Sequence, residues 1–237
     1  MLLARFLGEM MFFDPSYFLF IGPALALALW ASWRTKSAFK KYSKVRTMSG
    51  LTGAQAAARM LERAGIGDVE IVATRGVLSD HYNPLTKTLA LSEPVYATNS
   101  VAAIGVACHE AGHAIQHARG YAPLWLRSAL VPTANVGSKL GYWVMLIGLF
   151  LISSTGPGVL YAGALLFSAV LVFQIVTLPV EFDASSRAKK LAFEHGIVTV
   201  QEREGMSRVL NAAALTYVAA AISTLMTLLY FLSRARR

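Results

Sequence analysis

The sequence predicts a mostly α-helical integral membrane protein with about four transmembrane helices and a small water-facing α+β part. Of its 237 residues, 55% are hydrophobic and only 15% are charged, and the mean hydropathy is +0.50. Four apolar runs along the chain are assigned to helices that cross the bilayer. A more polar stretch with strand-like alternation lies between the first two runs, and it predicts the α+β part.

The net charge of +9 and the single cysteine narrow the classes of function. The basic residues cluster beside the apolar runs and form no nucleic-acid-binding motif. We therefore expect a lipid bilayer and no nucleic acid among the partners, and we interpret the charge as setting membrane orientation. Cys108 alone cannot form an intramolecular disulfide, and we interpret it as a small buried side chain.

The first predicted transmembrane helix covers residues 12–33, after an N-terminal tail of residues 1–11. Arg5 is balanced by Glu9 and Asp14, so the start of the chain lacks the basic region of a cleaved signal peptide. The apolar run is followed by six basic residues: Arg34, Lys36, Lys40, Lys41, Lys44 and Arg46. Because basic residues favour the cytoplasmic side, we expect the N-terminus outside the inner (plasma) membrane and the following chain in the cytoplasm.

Two helices are predicted in the water-facing part. Thr52 and Gln55 have the spacing of a capping box, and they predict the start of a short helix that a glycine ends. Ser100 or Asn99 caps a longer helix over residues 100–118. The apolar first half of this longer helix predicts that it is buried or in contact with the membrane surface.

Residues 34–138 as a whole are assigned to the cytosolic part, and a small sheet is expected within them. Residues 69–73 and 87–92 alternate apolar and polar side chains as strands do, and Asn83 and Pro84 mark a turn between them. This pattern predicts a short hairpin or a small sheet.

The second half of the chain returns to the membrane. Residues 139–180 predict a transmembrane hairpin, because two apolar runs flank an uncharged turn rich in glycine and proline. Residues 181–208 are polar and cytosolic, residues 209–232 form a fourth apolar helix, and residues 233–237 form a basic tail. Four crossings place this tail outside, against the preference of basic residues for the cytoplasm. An alternative is that the fourth helix lies partly in the bundle that holds the functional site.

The helix over residues 100–118 contains the motif His109-Glu110-Ala111-Gly112-His113. Two histidines four residues apart project from one face of a helix, within reach of one metal ion. A catalytic zinc ion takes imidazole nitrogens at about 2.0–2.1 Å and needs a third protein ligand beside an open position. Glu110, which is not a ligand in this arrangement, has the place of a general base that takes a proton from water.

The remaining histidines are weak candidates for the third ligand. A straight helix places His117 about 12 Å from His109, at about 1.5 Å per residue, so one ion cannot bind both. We interpret His117 as a polar helix residue. His81 and His195 are the other histidines of the chain.

The acidic segment after the predicted hairpin offers a better third ligand. Glu181 occurs at the boundary between apolar and polar sequence, on the same predicted side of the membrane as the motif. The alternative is an ordinary interfacial carboxylate that pairs with Arg187 or Lys189. Asp183 precedes Arg187 by four residues, so we expect an ion pair within one helix, or alternatively a contact that supports a ligand histidine.

Peptide hydrolysis also needs a donor for the oxyanion and a surface for the substrate. The donor candidates are His81, Tyr217, Arg187 and His195, of which we retain His81 and Tyr217 as site residues. Residues 89–92 are expected to form a sheet edge to which an extended substrate adds as a strand.

Four stretches, residues 79–92, 107–116, 178–185 and 213–221, closely resemble the YugP-like neutral zinc metallopeptidases, a family of bacterial membrane proteases. The resemblance covers nearly the whole chain. It implies a membrane-bound metalloendopeptidase with one zinc ion and a zincin-like catalytic part of the gluzincin type. It further implies His109, His113 and Glu181 as zinc ligands and Glu110 as the general base.

More distantly, the chain resembles the heat-shock membrane proteases and the prenyl-protein membrane proteases. Those families have an aspartate four residues after the glutamate ligand, where it orients a histidine. This chain has Ser185 at that position, so the residue that orients the histidine is not assigned by the resemblance.

Two alternative functions remain at this point. One is an intramembrane protease, which the polar end of the motif helix disfavours. The other is a silent scaffold in which zinc only joins the cytosolic part to the hairpin, which an intact Glu110 disfavours. For the favoured function, we expect the active site to face the cytoplasm and the substrate to be a peptide or protein, membrane proteins included.

Overall fold

The computed structural model describes residues 15–76 and 79–236. The predicted tail 1–11, the charges at Arg5, Glu9 and Asp14, and the start of the run 12–33 lie outside these residues, as does Arg237. The helices and strands are α1 Pro15–Tyr42, α2 Gly53–Arg63, β1 Glu70–Thr74, β2 His81–Asn83, β3 Thr88–Ser92, α3 Glu93–Tyr96, α4 Val101–Ala118, α5 Ala122–Val136, a π-helical turn Gly137–Gly141, α6 Tyr142–Thr155, α7 Gly158–Glu194 and α8 Val200–Ala235.

The chain divides into two compact units. One, which we call the apolar unit, comprises Met1–Ala31, Arg127–Val176 and Thr216–Arg237. The other, the sheet unit, comprises Ser32–Leu126 and Thr177–Leu215.

Within the described part of the chain, four helical segments are long and apolar enough to cross a membrane: Pro15–Tyr42, Ala122–Ser154, Gly158–Glu194 and Val200–Ala235. The predicted fold class is therefore confirmed: the protein is a mostly α-helical membrane protein with a small sheet. The helices extend well beyond the predicted apolar runs, because helical hydrogen bonding continues through polar sequence once it has begun. Residues 181–208, for example, form the end of α7 and the start of α8.

The second membrane helix begins earlier than the sequence suggested. The hairpin was expected from residue 139, whereas α5 begins at Ala122 and continues through the π-helical turn into α6. The apolar pattern of this stretch is interrupted at Pro132, Ser138 and Lys139. The sequence therefore did not indicate that the helix begins so early. One candidate membrane span, Ala122–Ser154, thus begins inside the segment 34–138 that was assigned to the cytosol.

The predicted small sheet exists, but its pairing differs from a simple hairpin. The strand order is β1-β3-β2. Leu89 of β3 pairs in parallel with Ile71 of β1 and in antiparallel with Tyr82 of β2. The turn at Asn83 and Pro84 therefore joins β2 to β3, rather than linking the two predicted strands. Since β3 is central, the expectation that residues 89–92 form a free sheet edge is wrong.

Helix α4 lies in the core of the sheet unit. Ser100, one of the two predicted N-cap residues, accepts a hydrogen bond from the Ala103 backbone N–H. Its apolar residue Ile104 is fully buried in one cluster with Met60 of α2 and Leu91 of β3. Burial of apolar side chains on several sides of α4 holds this helix in place, and it carries the motif.

Helix α2 begins and ends as predicted. The Thr52 side chain accepts from the Gln55 backbone, and the Gln55 side chain accepts from the Thr52 backbone, which completes the capping box. Gly65 follows the helix with φ of +74°, a left-handed conformation that glycine adopts without steric cost.

The two helices of the hairpin pack closely within the apolar unit. A Cβ atom at Gly163 of α7 would lie 2.4 Å from the Met145 backbone nitrogen of α6, and a Cβ atom at Gly148 would lie 2.4 Å from the Leu160 nitrogen. Small residues allow helix backbones to approach in this way, which favours packing inside a bilayer. Tyr230 of α8 belongs to the same buried apolar cluster as Met145 and Leu160.

Candidate metal centre

The structure brings the two motif histidines and Glu181 together within the sheet unit. The Nε2 atom of His109 lies 3.2 Å from one carboxylate oxygen of Glu181, and the Nε2 atom of His113 lies 3.6 Å from the other. The two imidazole rings are nearly perpendicular, at 80°, with their centroids 4.7 Å apart. The three side chains thus present one atom each to a common point between helices α4 and α7.

A close contact of two backbones places Glu181 over the motif helix. A Cβ atom at Gly112 would lie only 2.7 Å from the Ala184 carbonyl oxygen of α7. Glycine at this motif position therefore allows α7 to approach α4 directly before His113 and three residues after His109. Ala184 is itself fully buried, so neither helix can shift there without disturbing its neighbours.

Two of the three side chains are buried, whereas the His109 side chain is 15% exposed. Glu181 is 2% exposed and His113 is 7% exposed. Burial lowers the pKa of the His113 imidazole, but the hydrogen bond to Glu181 and the nearby charge of Glu110 outweigh it, and the pKa is raised above its ordinary value of 6.5. Because the pKa is raised, a proton competes with a metal ion for the Nε2 atom of His113 at a higher pH than it would at an exposed histidine.

Two other residues of the motif helix, Glu110 and Cys108, are also buried. Glu110 is buried, 9% exposed, and its charge acts on His113, which fits a carboxylate beside the site. Cys108 is fully buried, and burial raises the pKa of its thiol to about 12. At neutral pH this thiol keeps its proton, in agreement with the interpretation of Cys108 as a small core side chain.

The second ring nitrogen of each motif histidine also has a polar neighbour. The Ser185 hydroxyl oxygen lies 3.1 Å from Nδ1 of His109. The Gln116 side-chain oxygen lies 3.0 Å from Nδ1 of His113. Sequence reasoning did not identify Gln116, although its place three residues after His113 on a buried helix face is a signal for such a contact.

Other predicted candidates have different surroundings. His117 lies outside the group, and its Nδ1 is 2.8 Å from the Tyr82 hydroxyl. His195 lies between α7 and α8, where its backbone N–H donates to the Leu191 carbonyl. Asp183 forms the expected ion pair with Arg187 at 2.6 Å.

The two retained oxyanion candidates lie on β2 and on α8. His81 is exposed on β2, and its Nδ1 lies 2.8 Å from the Ser79 carbonyl oxygen. Tyr217 lies on α8 among the residues of the apolar unit. Both assignments stay predictions.

The donor set fits a zinc ion. Across residues 15–76 and 79–236, His109, His113 and Glu181 are the one group of three or more His, Cys, Asp or Glu side chains whose ligand atoms lie close enough to share an ion, all within 4.8 Å of one another. Ligands at about 2.0–2.2 Å in a tetrahedral arrangement are roughly 3.3 Å apart. Each histidine Nε2 lies at a similar distance from one of the two Glu181 oxygens, 3.2 Å for His109 and 3.6 Å for His113.

The helices and this group of side chains define a membrane protein with a buried metal-binding site of the kind found in zinc peptidases. Residues 17–236 match the protein family described as "Putative neutral zinc metallopeptidase", and the chain belongs to this family. It is also 48% identical over 208 residues to the "Putative membrane protease YugP" of Bacillus subtilis (strain 168), which covers 88% of this chain and 91% of that protein. No solved structure matches the chain significantly. These comparisons confirm the resemblance found in the sequence.

The contact at Gly112 generates the first prediction. Gly112→Ala inserts a methyl group against the Ala184 carbonyl, so α7 must move away and carry Glu181 from the histidines. We expect zinc affinity to fall by about 10-fold or more, as when ligand support is lost in other metal sites. Equilibrium competition with a chromophoric chelator measures the change.

Gly105→Ala is the matched control, because it adds the same methyl group to the same helix. There the nearest atom is the flexible Met206 side chain at 3.2 Å rather than a backbone carbonyl. We expect nearly unchanged zinc affinity for this variant. Equal zinc affinities for the two variants would contradict the role given to Gly112.

Proposed function

We propose that this protein is a membrane-bound zinc metalloendopeptidase that hydrolyses peptide bonds with a water molecule activated at this site. The observation that carries the proposal is the convergence of His109, His113 and Glu181, with Glu110 next to the first histidine and outside the ligand group. A structural zinc site is normally closed by four protein ligands, whereas three ligands and a nearby carboxylate suit catalysis.

Each side chain of the site has a separate role in the proposed reaction. His109, His113 and Glu181 would hold one zinc ion, which supplies the Lewis acid that makes water acidic and polarises the peptide carbonyl. Glu110 accepts the proton that the attacking water loses, and it then donates this proton to the leaving amine. The burial of the site limits competing water and strengthens each of these charge interactions.

For the oxyanion we propose the hydroxyl of Tyr217 and the imidazole of His81 as alternative donors. Replacement of the donor that acts, by Tyr217→Phe or His81→Ala, is expected to lower kcat by about 100-fold. Zinc content is expected to stay at the wild-type level in both variants, since neither residue is among the three ligands. If both variants retain wild-type kcat, another donor serves the oxyanion.

We propose that the protein lies in the inner (plasma) membrane with its active site facing the cytoplasm. The support is the exposed basic side chains at the end of α1, among them Lys36, Lys40 and Lys44, because basic residues beside a membrane helix favour the cytoplasmic side. Peptides and proteins, membrane proteins included, are the proposed substrates, and we expect no nucleic acid among the partners.

Thiol labelling tests this orientation, because the native Cys108 is fully buried. We expect a Lys44→Cys variant to react with a membrane-impermeant maleimide only after protoplasts are opened. A Pro157→Cys variant, in the turn between α6 and α7, is the matched control and is expected to react in intact protoplasts. The reverse labelling pattern would place the active site outside.

Glu110→Gln tests the proposed reaction. The amide cannot accept the proton, so we expect kcat/KM on a peptide substrate to fall by about 100- to 10,000-fold. Zinc is expected to remain bound, since Glu110 is not in the ligand group. Glu181→Ala is expected to lose both activity and zinc, and Glu194→Gln, an exposed change on the same helix, is expected to alter neither. Metal analysis and a peptidase assay on the same preparations provide both measurements.

Full zinc occupancy in Glu181→Ala would remove Glu181 from the ligand set. Unchanged peptidase activity in Glu110→Gln would show that Glu110 is not the general base. A zinc-loaded wild type without peptidase activity on any substrate would instead be a scaffold.

A further inference from the structure

Gln116 joins the two helices that carry the metal-binding side chains. It lies on α4, three residues after His113, and it is fully buried. Its side-chain nitrogen donates to the Val180 carbonyl oxygen at 2.8 Å and to the Asp183 carboxylate at 2.8 Å, both on α7. Its side-chain oxygen lies 3.0 Å from Nδ1 of His113.

These partners determine which way the amide points. An amide nitrogen carries two hydrogens and donates only, while a carbonyl and an ionised carboxylate accept only. Val180 and Asp183 together use both hydrogens of the Gln116 amide, so the nitrogen must face α7. The oxygen then faces His113, and the reversed amide would place three acceptors against one another.

The amide orientation in turn determines the tautomer of His113. Because the Gln116 oxygen only accepts, Nδ1 of His113 must carry a hydrogen and donate it. In the neutral imidazole the lone pair is then on Nε2, the atom that lies 3.6 Å from Glu181. A neutral imidazole that lacks such an acceptor can exchange its two tautomers and rotate its ring.

Arg187 holds the Asp183 carboxylate in place for its contact with Gln116. Arg187 donates to the same carboxylate oxygen at 2.6 Å, and this ion pair is about one-third exposed. A guanidinium only donates hydrogen bonds, so the shared oxygen of Asp183 accepts from it. Asp183 is therefore held as an acceptor, which keeps the Gln116 nitrogen directed at α7.

We propose that Gln116 is a positioning residue: it fixes the metal-binding tautomer of His113 and, through Val180 and Asp183, holds the turn of α7 that carries Glu181. One side chain thus orients two of the three ligands, which are on different helices. The inference rests on the proposed zinc site, and it adds Gln116 and the contact with Asp183 to it.

Removal of the amide is expected to weaken zinc binding rather than only the fold. Gln116→Leu keeps a similar volume but leaves Nδ1 of His113 without its acceptor. We expect the zinc Kd of this variant to rise by about 10- to 100-fold, the usual effect of losing a partner behind a ligand histidine. We also expect a changed visible spectrum of the Co²⁺-substituted protein, because the ligand geometry changes. A role in packing alone would lower the unfolding temperature and leave both of these readouts unchanged.

A double-mutant cycle tests the contact with Asp183. Gln116→Glu alone keeps an acceptor for His113 but sets two carboxylates about as close as the 2.8 Å of the present contact, so we expect weaker zinc binding. The double variant Gln116→Glu with Asp183→Asn exchanges the two groups. The introduced amide then donates to the introduced carboxylate, which still accepts from His113. Because the introduced carboxylate has no hydrogen to donate to the Val180 carbonyl, we expect the zinc Kd of the double variant to stay above that of wild type. We expect it to fall at least about three-fold below that of Gln116→Glu, a coupling typical of residues in direct contact.

Each outcome separates this inference from the proposed function. Gln201→Leu, the same change at an exposed glutamine, is the control and is expected to bind zinc like the wild type. A Gln116→Leu protein with wild-type zinc Kd and Co²⁺ spectrum overturns the positioning role while the zinc site stands. A double variant no tighter than Gln116→Glu overturns the part assigned to Asp183. A wild type that takes up no zinc overturns the proposed function as well.

Discussion

The site depends on one close approach of two backbones, where Gly112 of α4 lies against the Ala184 carbonyl of α7. A metal ion with ligands at about 2 Å tolerates little variation in the positions of the helices that supply them. The motif alone sets the spacing of His109 and His113, because both are on one helix. The place of Glu181 depends on packing, and the absence of a side chain at Gly112 makes that packing possible. Gly112, whose side chain takes no part in the group, therefore controls whether Glu181 reaches the two histidines.

The charges of the site explain why it suits a divalent cation. With both imidazoles neutral, Glu181 leaves the three ligand residues with one negative charge in a nearly dry environment, and Glu110 lies close by. Buried charge of one sign is costly unless an opposite charge compensates it. The raised pKa of the His113 imidazole reflects such compensation, because a proton bound there supplies a positive charge. A zinc ion provides a stronger form at the same nitrogen, so binding of metal and stability of the fold are coupled.

The sequence predicted the features that local pattern determines. Four apolar helices, the Thr52 capping box and the pairing of Asp183 with Arg187 follow from composition and from spacing along one helix, and all are present. The sheet order was not predictable in this way, because alternation identifies a strand but not its neighbours. The parallel pairing of β1 with β3 depends on a chain crossover. The contact of Gln116 with Val180 joins residues far apart in sequence, and no local pattern indicates it.

The two motif histidines have neutral partners at their second ring nitrogens. His109 faces the hydroxyl of Ser185 and His113 faces the amide of Gln116, so both contacts are with neutral groups. A carboxylate behind a histidine makes the imidazole a more basic ligand and adds a second buried charge. If these imidazoles hold a zinc ion, neutral partners would make them weaker electron donors than carboxylate partners would. Ser185 and Gln116 also add no negative charge to a buried site that already contains Glu181 and Glu110, so the fold has less charge of one sign to compensate.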